Sequence, residues 1–589
     1  MNSENRNLIM AIALSMAVLF GWQVFFVGPE MEKEAVRQAA IAEQAAIAEA
    51  DKAGGSDGAP QVSGDGTPTT TAGGDAATSN VANAASNARR IIIDAPLVSG
   101  SFSVAGLRLD DIMLKDYFET QAEDSERIQF LKKTTSELPY FAEFGWAAGD
   151  ANQVMPRFDT VWQTSASILA PGKPVTLTWD NENGLIFRRT LSINDDYMIT
   201  VDDSVESRLS SPLTLFPYGL VRRHGTPPTS GIYILHEGAL GVFDETLREE
   251  DYDDLEDAEG GVTTISPEGA GGWIGFTDKY WLAALLPDQA SNMNFAFKQL
   301  RGGGERYQVD YIGREGMVLQ PGSTVESQSR LFAGAKKVSL LDGYSEELGI
   351  ANFDRAIDFG WFYFMTKPFF YAINWLNDLL GNFGLATLAF TVVVKLVFFP
   401  LANKSYRSMG KMRLLSPKIQ QLRERFSDDR TALNREMMDL YKKEKINPAA
   451  GCLPVLLQIP VFFALYKVLF VTIEMRHAPF FGWITDLSAP DPTSMFNLFG
   501  LLPFSVDFLP AFLQLGIWPI LMGISMFLQM RLNPPPPDPV QAKIFQFMPL
   551  FFTFLLATFP AGLVIYWTWN NLLSMAQQWF IMRSIAKSS

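Results

Sequence analysis

The chain is poor in the residues that cross-link a fold or bind metals. Its 589 residues include one cysteine, Cys452, and three histidines, His224, His236 and His477. A single thiol excludes an intrachain disulfide, so packing alone must hold the fold in either redox compartment. So few histidines argue against a histidine-rich metal site. No nucleotide-binding Gly-Lys loop, H-E-x-x-H helix or nucleophile elbow occurs. Nothing therefore couples the chain to ATP hydrolysis, and no cofactor is expected. The apolar region also lacks the inverted repeat common in transporters.

Charge is absent from long stretches. Residues 7–27 carry none, 508–530 carry none, and none falls between Lys543 and Arg583. Between Asp378 and Lys404 the only charge is Lys395. Runs of about 20 apolar residues are candidates to span a membrane. The whole chain is 48% hydrophobic and 13% aromatic, yet its net charge is −16. Those figures average an apolar, locally basic C-terminal region and an acidic, soluble-looking middle.

The first apolar run ends at Gly28-Pro29 without a small-x-small cleavage site, which predicts a retained signal anchor over residues 1–28. Further spans are expected at 382–403, 453–474 and 508–530, with two more divided by Phe559-Pro560-Ala561-Gly562. Residues 404–453 hold twelve Lys/Arg against six Asp/Glu, whereas 475–507 hold Arg476 against Asp486, Asp491 and Asp507. This alternation puts both termini in the cytoplasm and the acidic loop outside. The expected fold class is a polytopic α-helical membrane protein with six spans. The last two spans are short enough to thin the bilayer locally.

Residues 29–90 read as a flexible linker, in which the Ala/Glu/Gln-rich stretch 30–52 is compatible with a short helix and the Gly, Ser, Thr, Ala, Asp and Pro of 53–88 are unable to bury a core. Residues 91–345 read as β structure. Val175–Trp179, Leu185–Ile193 and Tyr197–Val201 alternate in polarity between Asn/Asp/Gly turns, which predicts hairpins and one large sandwich outside the cytoplasm. The acidic run Glu249–Glu259 is expected to be a solvated loop. Aromatics mixed with charge over 350–378 predict an amphipathic helix at the membrane interface. Residues 379–583 would form a five-span core, and 584–589 a cytoplasmic tail.

Lys395 is the costly residue. An ammonium within a span costs on the order of 3 kcal/mol by insertion scales and is a functional candidate by default. Snorkelling is the competing reading. The nine residues to Lys404 cover roughly 13 Å of helix, about twice a lysine stem, so snorkelling covers part of the distance and both readings stay open. Thr391, one turn earlier, shares its helical face. Gln458, Gln514, Gln529, Tyr566, Trp567, Asn570 and Asn571 are further polar positions within spans. Singly, each is ordinary interhelical packing; together with Lys395 they suggest a wet groove. Lys467, near Glu474, is expected to snorkel.

Residues 404–448 read as a helical hairpin. Met412, Leu415, Ile419, Leu422 and Phe426 form one stripe, and Leu433, Met437 and Leu440 the other. Ser427-Asp428-Asp429 offers the turn and an N-cap. The outer face carries Arg407, Lys411, Arg413, Lys418, Arg423 and Arg425, suited to anionic lipids or ribosomal RNA. A solvated hairpin that only sets topology is equally open.

Several ordered motifs resemble the YidC/Oxa/Alb family of membrane protein insertases. They are the basic residue before Pro400-Leu401, the hairpin segment Lys411-Met412-Arg413-Leu414-Leu415-Ser416-Pro417-Lys418-Ile419, the segment from Asn447-Pro448 through Gln458-Ile459-Pro460 to Tyr466, and the segment Phe559–Tyr566 with Asn571-Leu572. The resemblance implies a periplasmic β-super-sandwich, an inner-membrane location and a hydrophilic groove that inserts and helps fold membrane proteins without catalysis. Groove positions it carries over are Lys395, Thr391, Gln458, Phe462 and Trp567. The family's usual charge is arginine; lysine stands here, without the bidentate fork. Implied partners are nascent membrane proteins, the ribosome, the Sec translocon and anionic lipids, with no DNA. The competing readings are a membrane-anchored periplasmic carbohydrate-binding protein, with His224 and His236 as its candidates, and a channel or transporter.

Overall fold

The computed structural model describes residues 88–588 apart from 151, 230–234, 259–260, 301–303, 427–428, 445–452, 505, 507, 511–512 and 533–538, together with the short strands Gln61–Val62 and Pro68–Thr69. The expected anchor over 1–28 lies outside the described residues. The chain divides into two compact units, residues up to Ala335 with Ser339–Ala356, and Lys336–Val338 with Ile357–Ser589.

The first unit is a layered β structure. One antiparallel sheet runs in the order Thr246–Asp251, Gly238–Phe243, Trp273–Thr277, Trp281–Leu286, Thr324–Ala335, Met198–Ser207, Leu185–Ile193 and Val175–Asp180. A second places Val262–Ile265, Met293–Gln299, Arg306–Gly313 and Leu213–His224 side by side, and the last of these also pairs with Met317–Leu319 and Tyr140–Ala148. The two sheets pack face to face, with Phe243 of one meeting Phe295 of the other at 4.7 Å between ring centres. A third sheet lies around Arg90–Asp94 and Val98–Ser103.

Local chemistry sets the hairpin register. The Asn181 side chain accepts from the amides of Asn183 and Leu185, each at 2.9 Å, and Gly184 takes φ 96°, a conformation that favours glycine. Asn194 accepts in the same way from Asp196 and Met198 at the next turn. The acidic run is not a loop. Glu249–Asp251 ends a strand, and Tyr252–Asp257 forms helix α1, held by buried Tyr252 and Leu255. Two apolar anchors among the acids are enough to fold it onto the sheet. Helix α2, Val338–Glu347, follows the sandwich.

A polar ladder crosses the second sheet. Arg222 Nε donates to Gln308 Oε1 at 2.9 Å, Gln308 Nε2 donates to Asp310 Oδ2 at 2.6 Å, and Lys298 Nζ lies 2.6 Å from the same Asp310 oxygen. Lys298 and Asp310 are fully buried. Burial pulls the Lys298 ammonium below its usual range and pushes the Asp310 carboxyl above its own, while their attraction opposes both shifts.

The second unit is helical. Helices α3 (Tyr363–Leu380), α4 (Phe383–Val397), α5 (Phe399–Arg425), α6 (Arg430–Lys443), α7 (Leu453–Val471), α8 (Ile517–Leu532), α9 (Pro539–Leu555) and α10 (Ala561–Ser588) follow in order. Gly381, at φ 68°, ends α3, and its amide donates to the Asn377 carbonyl. Asn382 then caps α4 by accepting from the Leu385 amide at 3.0 Å.

Two expected spans differ from the structure. The run 382–403 is not one helix: α4 stops at Val397 and the chain turns 67° into α5. Pro400 sits in the first turn of α5, where its missing N–H is harmless, but it could not continue α4. Within the run 508–530 the α-helix begins at Ile517. There the Asp491 carboxylate accepts from the Trp518 amide at 2.9 Å and the Thr493 hydroxyl accepts from Ile517 at 3.0 Å, so the cap comes from a distant loop. No single described helix is both long and apolar enough to cross a membrane; the bent pair α4–α5 passes together.

We predict that Lys298→Met destabilises the full chain by about 3–5 kcal/mol through the carboxylate it strands, and that Lys298→Met with Asp310→Leu recovers most of the loss. Thermal unfolding in detergent measures both, and an unchanged melting temperature in the single variant refutes the account.

Candidate functional site

The polar residues of α10 share one face because they recur every fourth position: Tyr566, Asn570, Ser574 and Gln578. All four are buried. Lys395 projects from the last turn of α4 toward this stripe. Its ammonium donates to Ser574 Oγ at 2.8 Å and reaches Gln458 Oε1 on α7 at 3.5 Å. Gln458 Nε2 in turn donates to the Tyr566 hydroxyl at 2.6 Å. The Ser574 hydroxyl donates its own hydrogen bond to the Asn570 carbonyl at 2.8 Å. The charge is thus tied to two helices through neutral acceptors, and no carboxylate pairs with it among the described residues.

Beside this network the wall is aromatic. Phe462 on α7 and Trp567 on α10 meet edge to face at 4.7 Å, and Trp567 also meets Phe552 of α9 at 5.6 Å. Ile459 and Phe463, on the adjoining face of α7, are exposed. Thr391 is buried, and its hydroxyl donates to the Thr387 carbonyl at 2.7 Å. It lies on the α4 helix with Lys395 but is engaged by its own backbone. The structure therefore brings Lys395, Gln458, Phe462 and Trp567 together with Ser574 and Tyr566, while Thr391 packs inward.

One end of the bundle is sealed. Ala478, Ile484, Leu487, Ala561 and Ile565 form a buried cluster, with Phe480 and Trp518 against it. A Cβ at Gly384 would fall 2.1 Å from the Phe480 ring, so the close approach of that ring to α4 needs glycine. The first amides of α10 find carbonyls in the same loop: Ala561 donates to Ala489 at 2.7 Å and Gly562 to Leu487 at 3.0 Å. The Lys395 network lies beyond this seal, toward the bend between α4 and α5.

The hairpin α5–α6 is held by Leu415 and Tyr441 with Met412, Ile419 and Met437 around them. Asp429 is its cap, accepting from the amides of Thr431 and Ala432. Arg407, Lys411, Lys418 and Arg425 are exposed and Arg423 is half-buried. The side chain of Arg413 lies outside the described residues. Lys418 crosses the hairpin to Glu444 at 3.0 Å, a surface pair of small energetic weight. Lys467 does not snorkel: its ammonium lies 2.7 Å from the Asp358 carboxylate. That carboxylate is far away in sequence, so spacing alone could not reveal the pair.

Fold and site together define the class: an apolar helical unit in which Lys395 is held by neutral acceptors among the described residues, joined in one chain to a β-sandwich domain. Comparison with known proteins agrees. The 60Kd inner membrane protein family matches residues 375–588, and the YidC periplasmic domain family matches residues 90–372. The membrane protein insertase YidC of Methylorubrum extorquens (strain PA1) is 49% identical over 99% of this chain and 96% of its own length. That of Beijerinckia indica subsp. indica is 50% identical over the same shares. An active YidC insertase crystal structure with its first transmembrane domain resolved aligns at 17% identity and a TM-score of 0.33, covering 83% of this chain and 92% of that one. The chain belongs to the YidC family of membrane protein insertases.

Ser574→Ala removes the shorter bond to Lys395. We expect it to couple to Lys395→Met by about 1.5–3 kcal/mol, the range for a hydrogen bond to a charged group. A double-mutant cycle on thermal unfolding checks this, and additive effects would remove Ser574 from the site.

Proposed function

We infer that this chain inserts membrane proteins, and we propose that Lys395 draws the leading hydrophilic segment of a nascent client into the bundle. The observation that supports this is the ammonium's set of neutral partners, Ser574 and Gln458. A carboxylate offers the ammonium a full opposite charge in addition to an acceptor oxygen, an attraction that the neutral oxygens of Ser574 and Gln458 lack. An acidic client segment therefore exchanges favourably with Gln458, whose contact is already long. Lysine presents a compact charge with rotatable donors where arginine presents a planar fork. It accepts carboxylates from a range of directions and selects for charge more than for geometry.

Insertion needs no covalent step. Once the polar segment is held, the client's apolar helix leaves along α7 and α10, where Phe462, Trp567 and the exposed Ile459 and Phe463 form an apolar flank. Transfer of its side chains into lipid drives the movement, at about 25 cal/mol per Å² of apolar surface. On this reading Thr391 supports the α4 wall from within.

The proposed topology has six spans, both termini cytoplasmic and the β domain periplasmic, and it follows the charge of the loops. The exposed Arg407, Lys411, Lys418 and Arg425 suit anionic headgroups or the ribosome that carries the client. The chain would act alone or beside the Sec translocon.

Lys395→Ala should slow insertion of clients with acidic leading segments by roughly ten- to a hundredfold, as expected for loss of about 1.5–3 kcal/mol. Lys395→Arg should keep it, and clients with uncharged leading segments should be indifferent. Rescue of a depletion strain, scored client by client, reads this out; equal rescue by Lys395→Ala for acidic clients removes the electrostatic role. A photocrosslinker at position 567 should capture a stalled nascent chain. Deletion of residues 91–330 should leave insertion intact, whereas loss of viability would favour a function centred on the β domain.

A further inference from the structure

The segment between α7 and α8 carries no charged residue from 492 to 506. Its large side chains point outward: Leu501 is 82% exposed, Phe508 75% and Leu498 52%, and Phe496 and Phe504 are also exposed. An ordinary surface loop shows the opposite pattern. Leu498 and Phe499 take φ of 51° and 60°, and neither is glycine. Left-handed backbone costs such residues roughly 1–2 kcal/mol each, so the loop holds these side chains outward at a cost.

Several backbone groups of the same loop are bonded within it. The amide of Phe499 donates to the Ser494 carbonyl at 2.7 Å, Leu502 to Asn497 at 3.1 Å, Phe504 to Leu502 at 2.9 Å and Leu509 to Val506 at 2.9 Å. Gly500 donates to the Asn497 side chain at 3.0 Å, and the Gln514 side chain donates to the Leu509 carbonyl at 2.9 Å. At the base, Met495 donates to Leu515 at 2.8 Å. Amides satisfied within the segment and apolar side chains turned out are what a non-helical segment needs to leave water. Asp507 interrupts the apolar run in sequence, which suits headgroup depth rather than the hydrocarbon centre.

The neighbouring helix names the occupant. α8 exposes Leu521, Ile524 and Leu528, spaced three and four apart, as one apolar stripe. Its 16 residues span about 24 Å, some 6 Å short of a hydrocarbon core of about 30 Å. The loop adjoins the N-terminal end of that stripe, where the helix falls short. We propose that residues 495–504 with Phe508 form a lipid anchor: their exposed apolar side chains enter the outer leaflet beside α8 and continue its apolar surface across the gap. The leaflet named here rests on the proposed topology. The anchor would let the bilayer meet a short helix without exposing either, and it would hold the thinned side of the groove in place.

The test uses the full-length protein in phospholipid vesicles, with Cys452→Ser as background and a nitroxide on Leu501→Cys or Phe508→Cys. Lys173→Cys, exposed on the β domain, is the aqueous reference. We expect both loop labels to lose accessibility to a water-soluble nickel chelate and to gain accessibility to oxygen relative to the reference. Nickel accessibility equal to the reference overturns the proposal. Shielding from both reagents also overturns it, in favour of a protein partner. An impermeant reductant separates the topology: a lipid-buried label on the side opposite the β domain would sink the orientation and leave the anchor standing.

Discussion

A cation held against neutral acceptors inside an apolar bundle constrains the rest of the helical unit. The Lys395 ammonium needs donors' counterparts on more than one helix, and it finds them in Ser574 of α10 and Gln458 of α7. That requirement explains why α10 carries a polar face through otherwise apolar surroundings. Tyr566, Asn570, Ser574 and Gln578 would each be expensive in lipid, and each is instead buried against protein. It also explains the partial exposure of the lysine: full burial without a counter-ion would expel the charge, while full exposure would leave nothing to attract.

The β domain solves a different problem with the same chemistry. Lys298 and Asp310 are wholly buried, but each compensates the other, and Gln308 and Arg222 extend the ladder. A compensated pair of this kind serves architecture. The two histidines that a sugar-binding reading would use have separate partners. His236 is bonded to Asp251 and to the Ala239 carbonyl. His224 is half-buried beside Phe141, and desolvation with the nearby Arg222, Arg306 and Arg108 pushes it down to about 3, so it stays neutral across physiological pH.

Much of this was readable before any coordinates. Alternation with Asn/Asp/Gly turns identified the hairpins, since register follows from period and turn chemistry. The hairpin stripes followed from 3-4 spacing, and the Asp429 cap from the Ser427-Asp428-Asp429 turn. Lys395 stood out because it alone breaks an apolar run. Ser574 was missed although a signal existed: it continues the four-residue series from Tyr566 and Asn570. A serine hydroxyl, however, is usually absorbed by its own helix, as Thr391 in fact is. Lys467 was misread because its partner, Asp358, lies outside its own helix.

Sequence by itself determined the separation into an acidic β region and an apolar helical region, the alternation of charge between loops, and the family. Each depends on composition and local period, which need no tertiary contact. Tertiary structure alone decided where helices begin and end against the expected spans, and what the charged residues touch. The break after Val397, the late start of α8 under a cap from Asp491 and Thr493, and the neutral partners of Lys395 all join residues distant in the chain. The physical reason is that hydrogen-bond partners and caps are satisfied by proximity in space, and only the folded chain supplies that.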